Sequence, residues 1–220
     1  MPRETQRAIL RDALGIAIAS GAYAVAFGAI SVASGLSLLQ TCAMSIVMFT
    51  GASQFAMVGV IGAGGSAWAG ALAAVLLGTR NAFYSLRLAS LLDARGWRRL
   101  LAAQFVLDET TAMAIARDKP EQSRFAYYAT GAALFTLWNV GTLIGALATK
   151  AMSDPKVFGL DAAVPAAFLA LLAPRLRAWE PLAIAVAAAV VAIALLPFVP
   201  AGVPLLIVAL LVSLFGWLRR

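Results

Sequence analysis

Long apolar runs separated by short polar gaps organise the chain from residue 13 to its end. Seven or eight can be read, at 13–34, 39–62, 66–92, 99–116, 125–149, 162–174, 181–197 and 202–218. About 20 helical residues cross the hydrocarbon core of a bilayer. The run 125–149 is ample by that measure, whereas 162–174 is short and ends at Pro174. Two runs are irregular. The run 39–62 is interrupted by Thr50-Gly51-Ala52-Ser53-Gln54, small and polar residues at which a helix can break and expose backbone groups. The run 99–116 is short and carries Asp108 and Glu109 near its middle. The pattern predicts an all-α fold, a polytopic transmembrane helical bundle with two broken or re-entrant segments.

The basic residues of the gaps discriminate between threadings. With the N-terminus (Arg3, Arg7, Arg11) cytoplasmic and all eight runs spanning, ten gap cations fall inside and five outside. If 39–62 and 99–116 each enter and return on the same side, thirteen fall inside, and only Lys150 and Lys156 lie outside. The excess of cytoplasmic Lys and Arg in membrane proteins favours the second threading. One broken segment then dips in from outside and the other from inside, as in secondary transporters that build a substrate site near the midplane.

Composition places the chain in a multi-pass cytoplasmic (inner) membrane protein. Sixty-two per cent of the 220 residues are hydrophobic and 12% charged, with a mean hydropathy of +0.90; soluble domains are about half apolar and a quarter charged. The length suits one transmembrane domain over residues 1–220. The net charge of +7 sits in short gaps between apolar runs, which is topology signal rather than a nucleic-acid surface. No cleaved signal peptide is expected after Met1-Pro2-Arg3-Glu4. Histidine is absent and Cys42 stands alone, so an intrachain disulfide, a His/Cys zinc site and a catalytic histidine are all excluded. Both lysines near membrane ends, Lys150 and Lys156, lie in loops, and no ATP-binding loop is present. The expectation is a protein with no cofactor, no metal and no enzymatic activity.

Arg80 lies inside the apolar run 66–92. A charge at that depth costs about 2.5–3.5 kcal/mol on the mildest scale and normally faces a protein interior or wet cavity with a partner. Two readings stand side by side: a bidentate grip on a substrate carboxylate, or an ion pair with Asp108 or Glu109. Adjacent helical residues point about 100° apart, so only one acid would face Arg80. Asp108 and Glu109 are candidate proton-coupling groups. Gly51, Ala52, Ser53 and Gln54 offer backbone groups, a hydroxyl and an amide to a bound solute, or else a simple kink. Asn81 and Tyr84 lie close enough to Arg80 to line the same cavity. Gly141 and Gly145 permit a close helix approach, and Trp138 reads as an interface or packing residue.

At these same residues the chain resembles the large subunit of the branched-chain amino-acid exporters, the AzlC-type permease family. Residues 44–55, from Met44 through Thr50-Gly51-Ala52-Ser53-Gln54 to Phe55, are similar to the family's "MSLLVFAGASQF" signature. Thr79-Arg80-Asn81-Ala82-Phe83-Tyr84 resembles an "NLRHxxY" element, and Leu107-Asp108-Glu109-Thr110 a "TDE" element. Phe158-Gly159-Leu160-Asp161, with Pro165 and the stretch from Phe168 to Pro174, echoes "LGLDFALPALFLALLVP". Gly78 stands where the family has asparagine, Asn81 where it has histidine, Leu38 where it has proline and Leu107 where it has threonine. The resemblance implies a secondary transporter exporting leucine, isoleucine, valine or similar small amino acids, working with a small AzlD-like membrane subunit. The alternatives are a non-transporting assembly subunit of a membrane complex, or a transporter for another small solute.

Overall fold

A computed structural model describes residues 1–151, 169, 172–173, 176–200 and 202–218. The run 162–174 and the motif beginning at Phe158 fall largely outside them. Every regular element among the described residues is an α-helix: α1 (Arg3–Ala33), α2 (Leu38–Val47), α3 (Gly51–Gly62), α4 (Ala67–Leu92), α5 (Trp97–Gln104), α6 (Asp108–Ile115), α7 (Pro120–Lys150), α8 (Trp179–Leu195) and α9 (Val203–Leu218). Helices α1 and α7, of 31 residues each, are long and apolar enough to cross a membrane. At 26 residues, α4 extends about 39 Å at 1.5 Å per residue, enough to cross as well. Arg80, Asn81 and Arg87 interrupt its apolar character.

Helices α1 and α7 form a parallel pair. Ile9 and Ala13 pack with Ala126 near their beginnings, Gly21 meets Leu137, and Gly28 meets Thr142 further along. The backbones touch where glycines face each other. A Cβ on Gly28 would collide with the Thr142 carbonyl, one on Gly141 with the Gly21 carbonyl, and one on Gly145 with the Val25 carbonyl. The Gly141-x-x-x-Gly145 spacing is thus a close helix contact, the role small residues play inside membranes, where lipid is as apolar as the side chains.

Both irregular runs are broken helices that turn back. Ser37 opens α2 with a reciprocal capping box, accepting from Gln40 N (3.2 Å) while its own N–H donates to Gln40 Oε1 (2.8 Å). The helix stops after ten residues, Met48 to Thr50 are non-helical, and α3 starts at Gly51. At 10 and 12 residues, α2 and α3 are about 15 and 18 Å long, half a bilayer core each. The end of α3 lies beside the end of α1, since a Cβ on Gly62 would fall 2.6 Å from Ser34 Oγ. The pair α2–α3 is therefore a re-entrant hairpin that leaves from and returns to the end of the bundle reached by α1. Helices α5 and α6, eight residues each and broken at Phe105 to Leu107, make the opposite hairpin. It begins just after α4, whose Leu91 carbonyl accepts from Arg124 Nε (3.1 Å) at the start of α7. It ends at Arg117, which pairs with Asp12 of α1 (3.3 Å). Arg3, Arg7, Arg11, the 93–99 gap and the 117–124 gap all gather at this basic end, as the charge pattern predicts.

The order of elements is a long helix followed by a broken hairpin at its far end (α1, α2–α3), then the same unit inverted (α4, α5–α6), then α7. The two breaks meet inside the bundle. Phe49 and Phe105 make an edge-to-face contact at 6.4 Å, and both pack against Phe135 of α7. Helices α8 and α9 pack against each other, and Leu206 of α9 joins Ala56, Val60 and Ala73 of α3 and α4.

The α1–α7 contact yields a stability prediction. Gly145→Leu forces two backbones apart and should cost on the order of 1–3 kcal/mol or more, seen as loss of monodisperse detergent-solubilised protein. Gly15→Leu, with nothing within 4 Å of its Cβ position, should leave the elution profile unchanged.

Candidate functional site

Breaking a helix strands carbonyls at its end and N–H groups at the next start. In an apolar interior each must find a partner or a cavity. The carbonyls at the end of α2 are met by two amide side chains. Gln54 Nε2 donates to Met44 O (3.2 Å), and Gln104 Nε2, reaching over from α5, donates to Ile46 O (2.8 Å). At the second break Thr110 Oγ1 donates to Phe105 O (2.6 Å) and accepts from Leu107 N (3.1 Å). The starts of the return helices are treated differently. Thr50, before α3, makes no side-chain cap hydrogen bond, so the first-turn N–H groups at Gly51 and Ala52 remain for something else. Asp108 and Glu109 occupy the first turn of α6, where negative charge complements the helix dipole.

Both helix starts open onto one cavity of 560 Å³, within the 300–1,000 Å³ common for small-molecule sites. Corresponding parts of the two inverted units line it: Ser20 and Tyr23 midway along α1, Leu77 and Arg80 midway along α4, Phe49 to Ala52 at the first break, and Leu107 to Glu109 at the second. Leu134 and Trp138 of α7 close one side, and Leu172 also contributes. Gly51 is required here because a Cβ would lie 2.7 Å from the Trp138 ring.

Arg80 Nη1 donates to Asp108 Oδ2 at 2.8 Å, a charge-assisted bond joining α4 to the start of α6. About a third of each side chain remains exposed. The pair uses one carboxylate; Glu109 also lines the cavity, and its carboxylate makes no ion pair among the described residues. Around the same space, Tyr23 Oη, Thr50 Oγ1, Ser53 Oγ, Arg80 Nε and Trp138 Nε1 are buried without a hydrogen-bond partner among the described residues. Leaving such a group unpaired costs about 1–3 kcal/mol, so a cluster of five marks a region suited to a polar guest or to a rearrangement that pairs them.

The structure brings together Gly51, Ala52, Arg80, Asp108 and Glu109 on the cavity wall. Ser53 lies just behind it, 1% exposed, with its Oγ facing Gly78. Gln54 is fully buried and braces the end of α2. Asn81 is off the wall, with a buried unpaired Oδ1. Tyr84 packs towards the basic end with Leu88, Leu92 and Tyr127. Sequence reasoning passed over Tyr23, Trp138 and Gln104. The signal for Gln104 was an amide beside a break. Tyr23 and Trp138 sit in long apolar helices whose inward face only the packing reveals.

A scan against protein-family models matches the AzlC protein family over residues 15–152, well over half the chain. The chain belongs to the AzlC protein family. It is also 30% identical over 170 residues, 74% of this chain and 69% of the other, to the inner membrane protein YgaZ of Escherichia coli (strain K12). No solved structure matches. Membership makes this AzlC chain a membrane protein of transporter type, and the matched residues contain both broken hairpins and all the candidate site residues.

The Arg80–Asp108 contact predicts non-additivity. Arg80→Gln and Asp108→Asn should each lower the thermal midpoint of the purified protein. The double variant should lose less than the sum, with a coupling of about 0.5–1 kcal/mol, as for a partly solvated pair.

Proposed function

We propose that this chain is a secondary transporter that exports leucine, isoleucine, valine or similar small amino acids across the cytoplasmic membrane. It would act together with a small AzlD-like membrane subunit, with the basic end of the bundle cytoplasmic. The observation that carries the reading is the cavity between the two inverted hairpins, which joins opposite charges and free helix-start N–H groups to apolar walls. A small zwitterion with a branched apolar side chain needs that combination. The residue-level resemblance to branched-chain exporters supplies the substrate, and the family match supports it.

In this reading Arg80 acts as a lock. Its bond to Asp108 ties α4 to the second hairpin and fixes the start of α6 beside the cavity. Gly51 and Ala52 present backbone to the solute, and Ser53 and Gln54 hold the broken helix open behind them. Asp108 and Glu109 are the groups through which protons couple to transport. The inverted arrangement supplies alternating access, because moving one hairpin relative to α1 and α7 opens the cavity to one side while the other closes it.

Efflux from cells loaded with leucine-, isoleucine- or valine-containing peptides tests the proposal. Expressing the chain with its small subunit should speed efflux several-fold over the chain alone, and Arg80→Gln should abolish the gain. Unchanged efflux of all three amino acids, with both subunits present in the membrane, would refute the substrate assignment.

A further inference from the structure

Resting on the transport reading, we infer that the bound amino acid has a fixed polarity: Glu109 receives its α-ammonium, and the first turn of α3 receives its α-carboxylate. Arg80 already gives Nη1 to Asp108 at 2.8 Å, a bond that ties α4 to α6, and the carboxylate is assigned to a second set of donors. Glu109 stands next to that pair, lines the same cavity and makes no ion pair with a described residue. A carboxylate on a cavity wall, beside a cation that is already paired with another acid, is a natural acceptor for an ammonium group.

The anionic end is placed by a different set of groups. Helix α3 runs for 12 residues, and its start faces the cavity without a side-chain cap. N–H groups there point outward with the positive end of the helix dipole, which suits a carboxylate. Two deeply buried donors, without partners among the described residues, belong to this region: Ser53 Oγ, on a residue of the turn 1% exposed, and Nε1 of Trp138, a cavity-lining residue 6% exposed whose ring lies against Gly51. Both can donate to an anion, and the indole can do nothing else. Between the poles, Phe49, Leu77, Leu107 and Leu134 form the apolar wall against which a branched side chain packs.

Competition against radiolabelled leucine on the purified chain with its small subunit tests the assignment. The probes are 4-methylpentanoate, which keeps the carboxylate and side chain but lacks the amine, and 3-methylbutylamine, which lacks the carboxylate. On the wild type each should compete at least about tenfold more weakly than leucine, as expected for losing a hydrogen bond to a charged group. Glu109→Gln should weaken leucine by at least about tenfold and bring leucine and 4-methylpentanoate to within about threefold of each other. Its discrimination against 3-methylbutylamine should persist. If Glu109→Gln retains the full preference of leucine over 4-methylpentanoate, the ammonium assignment is overturned while the transport reading stands. If the wild type does not bind leucine at all, both fall.

Discussion

An interrupted helix inside an apolar bundle is tolerated only if every freed backbone group is satisfied or faces a polar space. The rest of this structure follows from meeting that requirement twice. Gln54 and Gln104 take carbonyls at the end of α2, and Thr110 secures the second break. The N–H groups at the start of α3 are left facing a cavity. Because Gln104 belongs to one hairpin and Ile46 to the other, the two breaks are not independent defects. The second supplies part of the first one's hydrogen bonding, and the cavity lies where they meet.

Around this polar centre the scaffold is divided between rigid and adjustable parts. Helices α1 and α7 touch backbone to backbone through Gly21, Gly28, Gly141 and Gly145, a contact that leaves little room for sliding. The hairpins are short helices whose inner ends are held by side-chain hydrogen bonds within and between them and by one ion pair to α4. Among the described residues, five buried polar atoms around the cavity lack partners, a cost that a polar guest or a shifted hairpin would recover. The unpaired polar atoms come from α1, α4 and α7 as well as from the first hairpin, and they surround the cavity where the two breaks meet.

Much of this was legible in the sequence. The small polar run at Thr50 to Gln54 and the short run containing Asp108 and Glu109 announce the two breaks. The asymmetric placement of arginines selects the re-entrant threading, because charge in the gaps reports which ends lie together. Arg80 finds the site, since a buried guanidinium demands a partner. The sequence left three things undecided. Which acid pairs with Arg80 depends on the rotation of α6, and Asp108 takes the bond. Gln54 reads as a site residue, and its amide also bonds the Met44 carbonyl at the end of α2, a contact that only packing reveals. Tyr23 and Trp138 look like ordinary membrane aromatics until packing turns them inward.

The most direct test of the claim that the hairpins enclose an aqueous solute site uses the single native cysteine. In a Cys42→Ser background, Ala52→Cys should react readily with a small water-soluble thiol reagent, and leucine should slow that reaction. Leu72→Cys, on the exposed apolar face of α4, should stay inert. If Ala52→Cys is as unreactive as Leu72→Cys, or if its reaction ignores every small amino acid tried, the breaks do not form a transport site.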